Sequence, residues 1–188
     1  MWQLHPYVVW TLAAFVVLHP QAARAFHSTV NVVDSIRRIR TADRRLQYAL
    51  AMGEAGSATF RDLAGEIGRS DLIVYIEDGR CLDLQPQGCI FIAAFSGGQR
   101  YVRIRLDAKR TTRELVLILG HELQHAVEIA RARDVVDAAT LTDLYQWIGY
   151  QRGRSSSFET KEAVRIGNTV VTEFDAHART IRAHRQQY

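Results

Sequence analysis

The spacing of apolar residues predicts helices toward both ends of the chain and strands in the middle. Apolar positions recur at helical intervals over residues 32–52, 59–67, 112–133, 141–147 and 158–184. Between the second and third of these helices, β-branched or alternating runs predict strands at residues 72–76, 89–93 and 101–106. This order of elements indicates an α+β fold with a small sheet. We expect the sheet to be antiparallel, with a mixed sheet as the alternative.

The helix predicted at residues 112–133 is marked more strongly than the others. Thr111 and Glu114 form a capping box directly before its apolar run. Apolar residues cover most of its circumference, which indicates a buried helix. Gly120 in its interior predicts that another backbone approaches closely there. The preceding helix should be capped by the hydroxyl of Thr59.

The first 25 residues are predicted to be a secretory signal peptide. Residues 7–18 form an uninterrupted apolar run, and small residues precede a cleavage site after Ala25. The run is shorter than the roughly 20 apolar residues that span a bilayer, so we expect no stable membrane span after cleavage. The mature chain, residues 26–188, is then expected to be a single exported domain, either secreted or periplasmic.

Composition and charge are those of an ordinary globular domain and exclude collagen-like, coiled-coil and disordered classes. The chain has 188 residues, of which 47% are hydrophobic and 23% are charged. The formal net charge of +4 is spread along the sequence, so we expect no nucleic-acid partner.

The chain contains two cysteines, Cys81 and Cys89. In an exported protein we expect them to form a disulfide that closes the intervening loop. The alternative is a pair of free thiols in neighbouring strands. Because there is no second cysteine pair, a structural zinc knuckle is not indicated.

The buried helix carries two histidines and a glutamate in a metal-binding pattern. His121 and His125 are four residues apart, so both imidazoles lie on one face and can bind one metal ion. Catalytic zinc sites combine such histidines with a further protein ligand and keep a position for water, whose pKa the ion lowers. Glu122 lies at the edge of this face and can act as general base. If no metal bound there, each buried imidazole would need another hydrogen-bond partner in the core.

The segment GHELQHAV, which contains both histidines, resembles the active-site helix of zincin metallopeptidases, especially thermolysin-like members. No glycine and third histidine follow His125 at the spacing of the metzincin branch. The strand at residues 101–106 resembles the zincin edge strand along which an extended peptide substrate pairs. The resemblance implies a zincin-like fold, with the sheet packed on a buried active-site helix. It also implies one zinc ion on His121 and His125, with Glu122 as base.

The resemblance to the gluzincin branch implies a third ligand, a glutamate on a later helix. The preferred candidate is Glu159, followed by Glu173 and Glu162. Glu128 lies on the same helix face as His125 and is expected to support the site or to face solvent rather than bind the metal. Residues that could donate to an oxyanion or orient a histidine are Tyr145, Tyr150, His177, Asp143 and Asp175.

Together these features predict an exported zinc metallopeptidase that hydrolyses peptide bonds in a peptide or protein substrate. In this interpretation one Zn²⁺ ion is held by His121, His125 and Glu159, and Glu122 is the catalytic base. The alternative is a non-catalytic interaction module of the cell envelope, built on a zinc-stabilised zincin scaffold.

Overall fold

The computed structural model describes residues 38–81, 87–151 and 158–186. Within these ranges the chain forms five helices: α1 (Arg44–Gly56), α2 (Ala58–Gly68), α3 (Thr112–Arg131), α4 (Ala138–Ile148) and α5 (Lys161–Arg185). The same ranges contain the strands β1 (Ile39–Arg40), β2 (Leu72–Asp78), β3 (Gly88–Ser96), β4 (Gln99–Leu106), β5 (Tyr150–Gln151) and β6 (Phe158–Glu159). None of the helices in these ranges has the length and apolar character needed to cross a bilayer. The predicted signal peptide lies outside the described residues.

Four strands form a mixed sheet in the order β1-β2-β4-β3. β2 is parallel to both β1 and β4, whereas β3 pairs antiparallel with β4 through a hairpin. Gly97 and Gly98 in the hairpin turn have φ angles of 58° and 71°, which the turn requires. The favoured antiparallel sheet is therefore wrong, and the mixed alternative is confirmed. The strand predicted at residues 101–106 lies inside the described sheet, and β1 and β3 form its edges instead.

The core lies between one face of this sheet and the helices. The alternation in β4 buries Val102, Ile104 and Leu106, whereas Arg103 faces away from the core. Helix α3 packs against α1, α2 and α5 and is buried along most of its length, as its apolar circumference predicted. The capping box predicted at the start of α3 is present. The α+β assignment is confirmed.

A buried arginine from β4 determines where α3 ends. The Arg100 side chain is fully buried and donates hydrogen bonds to carbonyl oxygens at the end of the helix, on Ile129, Ala130 and Ala132. It also forms a two-point ion pair with Asp71, at 2.6 and 2.9 Å. Carbonyl groups at the end of a helix receive no hydrogen bond from the N–H groups of a following turn, and Arg100 supplies these hydrogen bonds instead. Helix α3 stops two residues before the predicted boundary.

Two other helix boundaries differ from the sequence prediction because polar side chains cap them. Asp43 accepts hydrogen bonds from backbone N–H groups of the first turn of α1, so this helix begins at Arg44; the predicted helical residues 32–37 lie outside the described residues. The preceding residues Ile39–Arg40 form strand β1 instead. Ser57 caps α2, not Thr59 as predicted, because its hydroxyl accepts from the N–H of Phe60.

Helices α3 and α5 cross at two glycines. A Cβ atom on Gly120 would lie 2.9 Å from the Val170 side chain, so α5 packs tightly against α3 at this glycine, through a side chain. At Gly167 the backbones themselves approach, because a Cβ atom there would lie 3.2 Å from Cβ of His121 and 3.3 Å from the carbonyl oxygen of Leu117. This crossing brings the first turns of α5 against the helix face that carries the histidines.

Cys81 and Cys89 form a disulfide, as predicted, with their Cα atoms 5.9 Å apart. The bond joins the segment that follows β2 to the first residues of β3. Gly88, next to the bridged cysteine, is buried against Glu122 of α3. The disulfide therefore fixes the start of β3, an edge strand, at the point where this strand passes Glu122 of α3.

Candidate metal centre

His121, His125 and Glu159 converge on one point. In each residue one potential ligand atom lies within 4.8 Å of those of the other two. Nε2 of His121 is 3.4 Å from Oε2 of Glu159, and Nε2 of His125 is 3.3 Å from Oε1 of the same carboxylate. The imidazole centroids are 4.9 Å apart, as expected for residues one helical turn from each other. This is the set of residues that the sequence proposed as metal ligands.

Glu159 reaches the histidines from a separate segment of the chain. It lies in β6, which pairs antiparallel with β5, and Tyr150 is its partner. Thr160 follows it and caps α5 by accepting from the N–H of Ala163. Burial raises the pKa of Glu159, but the hydrogen bond from His125 and both nearby imidazoles outweigh burial and lower it below the ordinary value. The carboxylate is therefore held ionised inside the protein.

The other candidate third ligands lie elsewhere. Glu173 accepts hydrogen bonds from Ser57 and Thr59 at the start of α2, at 2.6 to 3.0 Å. Glu162 is exposed and pairs with Arg165 at 2.6 Å. Of the three glutamates that the sequence offered, the structure brings only Glu159 to the histidines.

Glu122 is buried beside the cluster. Its side chain lies under the edge strand, because a Cβ atom on Gly88 would be only 2.5 Å from Oε1 of Glu122. Burial raises the pKa of Glu122 to about 7, with a further contribution from Glu159 and an opposing one from His125. A carboxylate with this pKa is able to take up and release a proton near neutral pH.

His125 is surrounded by carboxylate groups. Burial alone would lower the pKa of His125, but hydrogen bonds to Glu128 and Glu159 outweigh burial and raise it to about 10. Glu122 adds a third carboxylate to this surrounding. Without a metal, protons on His125 and Glu122 balance part of this negative charge, and a divalent cation bound to the imidazoles would replace them in that role. Two imidazoles and one carboxylate are also a donor set typical of catalytic zinc, so these residues fit that ion.

The cluster opens into a cavity of about 810 Å³. Its walls come from the start of β3, the middle of α3, α4, the β5–β6 pair and the first turns of α5. Among the described residues that line it, all except the two histidines, Glu122 and Glu159 are uncharged. A site of this kind can admit a sizeable ligand and hold it against both polar and apolar walls.

Two of the proposed oxyanion donors, Tyr145 and Tyr150, line this cavity. Tyr145 is buried, and its hydroxyl oxygen lies 3.5 Å from the carbonyl oxygen of His125. Burial and the nearby carboxylates raise the pKa of Tyr145 well above its ordinary value, so the hydroxyl keeps its proton. His177 is not among the described residues that line the cavity.

The two aspartates suggested as orienting groups do not contact the histidines. Asp175 forms an ion pair with Arg113 at 2.8 Å, on the outer side of the α3–α5 crossing. Asp143 is exposed on α4. Glu128 is the carboxylate that is placed to orient a histidine, because its Oε2 lies 2.8 Å from Nδ1 of His125. The structure thus favours a supporting position for Glu128 over a solvent-facing one.

Sequence analysis missed two residues of this centre, Gly88 and Thr160. Thr160 could have been found, because a threonine three residues before Ala163 at the start of a helical pattern is a helix-capping signal. Gly88 carries no comparable signal, since its contact with Glu122 joins a strand to a distant helix.

Comparison with protein-family models, with curated proteins and with solved structures finds no significant match. The chemical interpretation of the centre therefore rests on its own residues and geometry.

Proposed function

We propose that this protein is a zinc-dependent metallopeptidase. The observation that supports this proposal is the convergence of His121, His125 and Glu159 beside a buried Glu122, at the wall of an open cavity. The segment around these histidines also has the spacing of the zincin active-site helix. When bound, zinc would withdraw charge from a substrate carbonyl and lower the pKa of a coordinated water.

The protein's own residues account for the remaining steps of the proposed reaction. Glu122 accepts the proton of the attacking water on a carboxylate oxygen and later donates it to the nitrogen of the leaving amine. Its burial excludes bulk water from that proton. The hydroxyl of Tyr145 is the proposed hydrogen-bond donor to the oxygen of the cleaved carbonyl group.

The proposed substrate is an extended segment of a peptide or protein. The first residues of β3 line the cavity, and β3 is one of the two edge strands of the described sheet, β1 being the other. An edge strand offers backbone groups with which an extended chain can pair. We therefore assign substrate pairing to β3, not to the strand at residues 101–106, which has neighbours on both sides.

We infer that the protein acts outside the reducing cytoplasm. The Cys81–Cys89 disulfide supports an oxidising compartment such as the periplasm or the extracellular space. The apolar run at residues 7–18 is consistent with export but lies outside the described residues.

The direct test combines metal content with hydrolysis by the purified full chain and its Glu122→Gln variant. We expect about one zinc per chain in both, measured by mass spectrometry, because Glu122 is not a ligand. Removing the base should lower kcat on a quenched-fluorescence peptide library by about 10²–10⁴-fold. Glu162→Gln, on the exposed surface of α5, serves as the control and should leave kcat unchanged.

Hydrolysis by Glu122→Gln at the wild-type rate, with zinc still bound, would refute the peptidase proposal. If the wild type bound zinc tightly but cleaved no member of the library, the metal would instead support the non-catalytic interaction module. Absence of zinc from the wild type after loading would refute both.

A further inference from the structure

Glu128 connects the two parts of the chain that supply the candidate metal ligands. It lies almost one turn beyond His125 on α3 and is buried. One carboxylate oxygen, Oε2, accepts a hydrogen bond from Nδ1 of His125 at 2.8 Å. The other, Oε1, accepts from the hydroxyl of Thr160 at 2.7 Å. Both carboxylate oxygens therefore accept hydrogen bonds, one from a histidine of α3 and the other from the residue that follows β6.

Thr160 transmits this contact to the third ligand. Its backbone N–H donates to Oε1 of Glu159 at 2.8 Å, next to the contact between Glu159 and His125. Its hydroxyl oxygen accepts from the N–H of Ala163 at 3.0 Å and so holds the start of α5. Its hydroxyl proton is donated to Glu128. Thr160 therefore holds the carboxylate of Glu159 and the start of α5, and it links both to α3.

The position of Glu128 excludes it as a ligand to the same ion. It binds Nδ1 of His125, whereas Nε2 of this ring faces Glu159. The two ring nitrogens point in different directions, so a group on Nδ1 can set the orientation and tautomer of the imidazole without touching the metal. The contact with Gln124, at 3.5 Å, is too long to compete with these two hydrogen bonds.

We propose that Glu128 is a positioning residue that holds His125 on one side and, through Thr160, Glu159 on the other, in the arrangement that binds the metal. This inference rests on the proposed metal site. Loss of Glu128 would remove the hydrogen-bond partner of Nδ1 of His125 and the contact through Thr160 that joins the β6 segment to α3. We expect the folded protein to bind the metal about 10–100-fold more weakly. This is the effect of removing the group that accepts a hydrogen bond from a metal-bound histidine.

The experiment measures the apparent Kd for Zn²⁺ by competition with a chromogenic chelator, using the full chain. Glu128→Met keeps the length of the side chain and removes both acceptors, and we expect it to bind zinc about 10–100-fold more weakly than the wild type. Glu128→Gln retains one acceptor and should show a smaller loss. Thr160→Val should also weaken binding, whereas Thr160→Ser, which keeps the hydroxyl, should match the wild type.

Two further measurements separate positioning from general stability. The melting temperature of each variant without metal reports the fold, and the visible spectrum of bound Co²⁺ reports the geometry of the ligands. A merely structural role would lower the melting temperature and leave the Kd and the spectrum of the folded fraction unchanged. Glu162→Met, on the exposed face of α5, is the matched control and should behave as the wild type in all three.

The outcomes also distinguish this inference from the proposed function. Wild-type zinc affinity in Glu128→Met, with the metal site otherwise intact, would overturn the role of Glu128 and leave the peptidase proposal standing. If Glu128→Met failed to fold, equal affinity in Thr160→Val and Thr160→Ser would overturn the inference. A wild type that bound no zinc would overturn both. Weaker binding in Glu128→Met combined with an active Glu122→Gln would refute only the catalytic proposal.

Discussion

At the scale of single residues, the centre depends on a glycine that carries no chemistry itself. Gly88 is buried against the carboxylate of Glu122, and the Cys81–Cys89 disulfide begins at the next residue along β3. The absence of a Cβ atom there leaves room for Glu122 between α3 and the edge strand. The proposed base is thus positioned by packing from a strand more than thirty residues away in the chain.

This contact predicts the effect of Gly88→Ala. The new methyl group would meet Oε1 of Glu122 at 2.5 Å, so the carboxylate has to move. Because a displacement of about 1 Å in a catalytic group can cost about 10²-fold in rate, we expect kcat to fall by that order. Zinc content should not change. Gly65→Ala in α2, where only the end of a flexible arginine side chain is nearby, is the control.

Peptide hydrolysis at the wild-type rate by Gly88→Ala would show that the position of Glu122 is not critical. A loss of zinc together with activity would instead indicate that the substitution disturbs the ligands, which a mass measurement of metal content would reveal.

At the scale of elements, α3 is held in place at both ends. The capping box provides hydrogen-bond acceptors for backbone N–H groups at its start. Arg100 from β4 donates hydrogen bonds to backbone carbonyl oxygens at its end and also pairs with Asp71. Because Arg100 binds backbone carbonyl oxygens, it fixes the helix end irrespective of the side chains there. The helix that carries the histidines is thereby joined to the middle of the sheet.

We expect Arg100→Met to destabilise the fold strongly. Without the guanidinium, the carbonyl oxygens at the end of α3 lose their donors and Asp71 loses its partner. Each buried carbonyl oxygen left without a donor costs about 1–3 kcal/mol, which urea denaturation would detect as a lower free energy of unfolding. Arg103→Met, on the exposed face of the same strand, should stay within about 0.5 kcal/mol of the wild type. Equal effects of the two substitutions would contradict the assigned role of Arg100.

At the scale of the whole molecule, the same ion pair links stability to pH. The hydrogen bond from Arg100 lowers the pKa of Asp71 in the folded protein, and burial opposes this effect only in part. A carboxylate with a depressed folded-state pKa stabilises the fold above its unfolded-state pKa, about 3.9. This contribution is lost as the pH falls through the folded-state value, because protonation then breaks the pair.

Asp71→Asn should therefore lower the free energy of unfolding at pH 7, and the difference from the wild type should shrink as the pH falls below about 4. Urea denaturation at a series of pH values would measure both effects. Asp143→Asn, at an exposed position of α4, should not reproduce this pattern. A difference between Asp71→Asn and the wild type that stays constant down to the folded-state pKa would refute the assignment.

Much of this molecule follows from local sequence patterns. The capping box and apolar circumference identified α3 as a buried helix, the four-residue spacing brought His121 and His125 onto one face, and Cys81 and Cys89 were correctly paired. Such features depend on residues close together in the chain, and helix geometry relates them directly. The candidate Glu159 was preferred from a family resemblance, not from local geometry.

Tertiary structure alone decided which distant segments meet. Alternation in β4 indicated its buried face but not its neighbours, so the parallel pairing with β2 and the edge position of β3 could not be predicted. The choice of Glu159 over Glu173, and the contacts of Gly88 and Glu128, likewise depend on how α5 and β3 pack against α3. Sequence periodicity specifies the face that an element buries, whereas the partner on that face is determined by packing of the whole core.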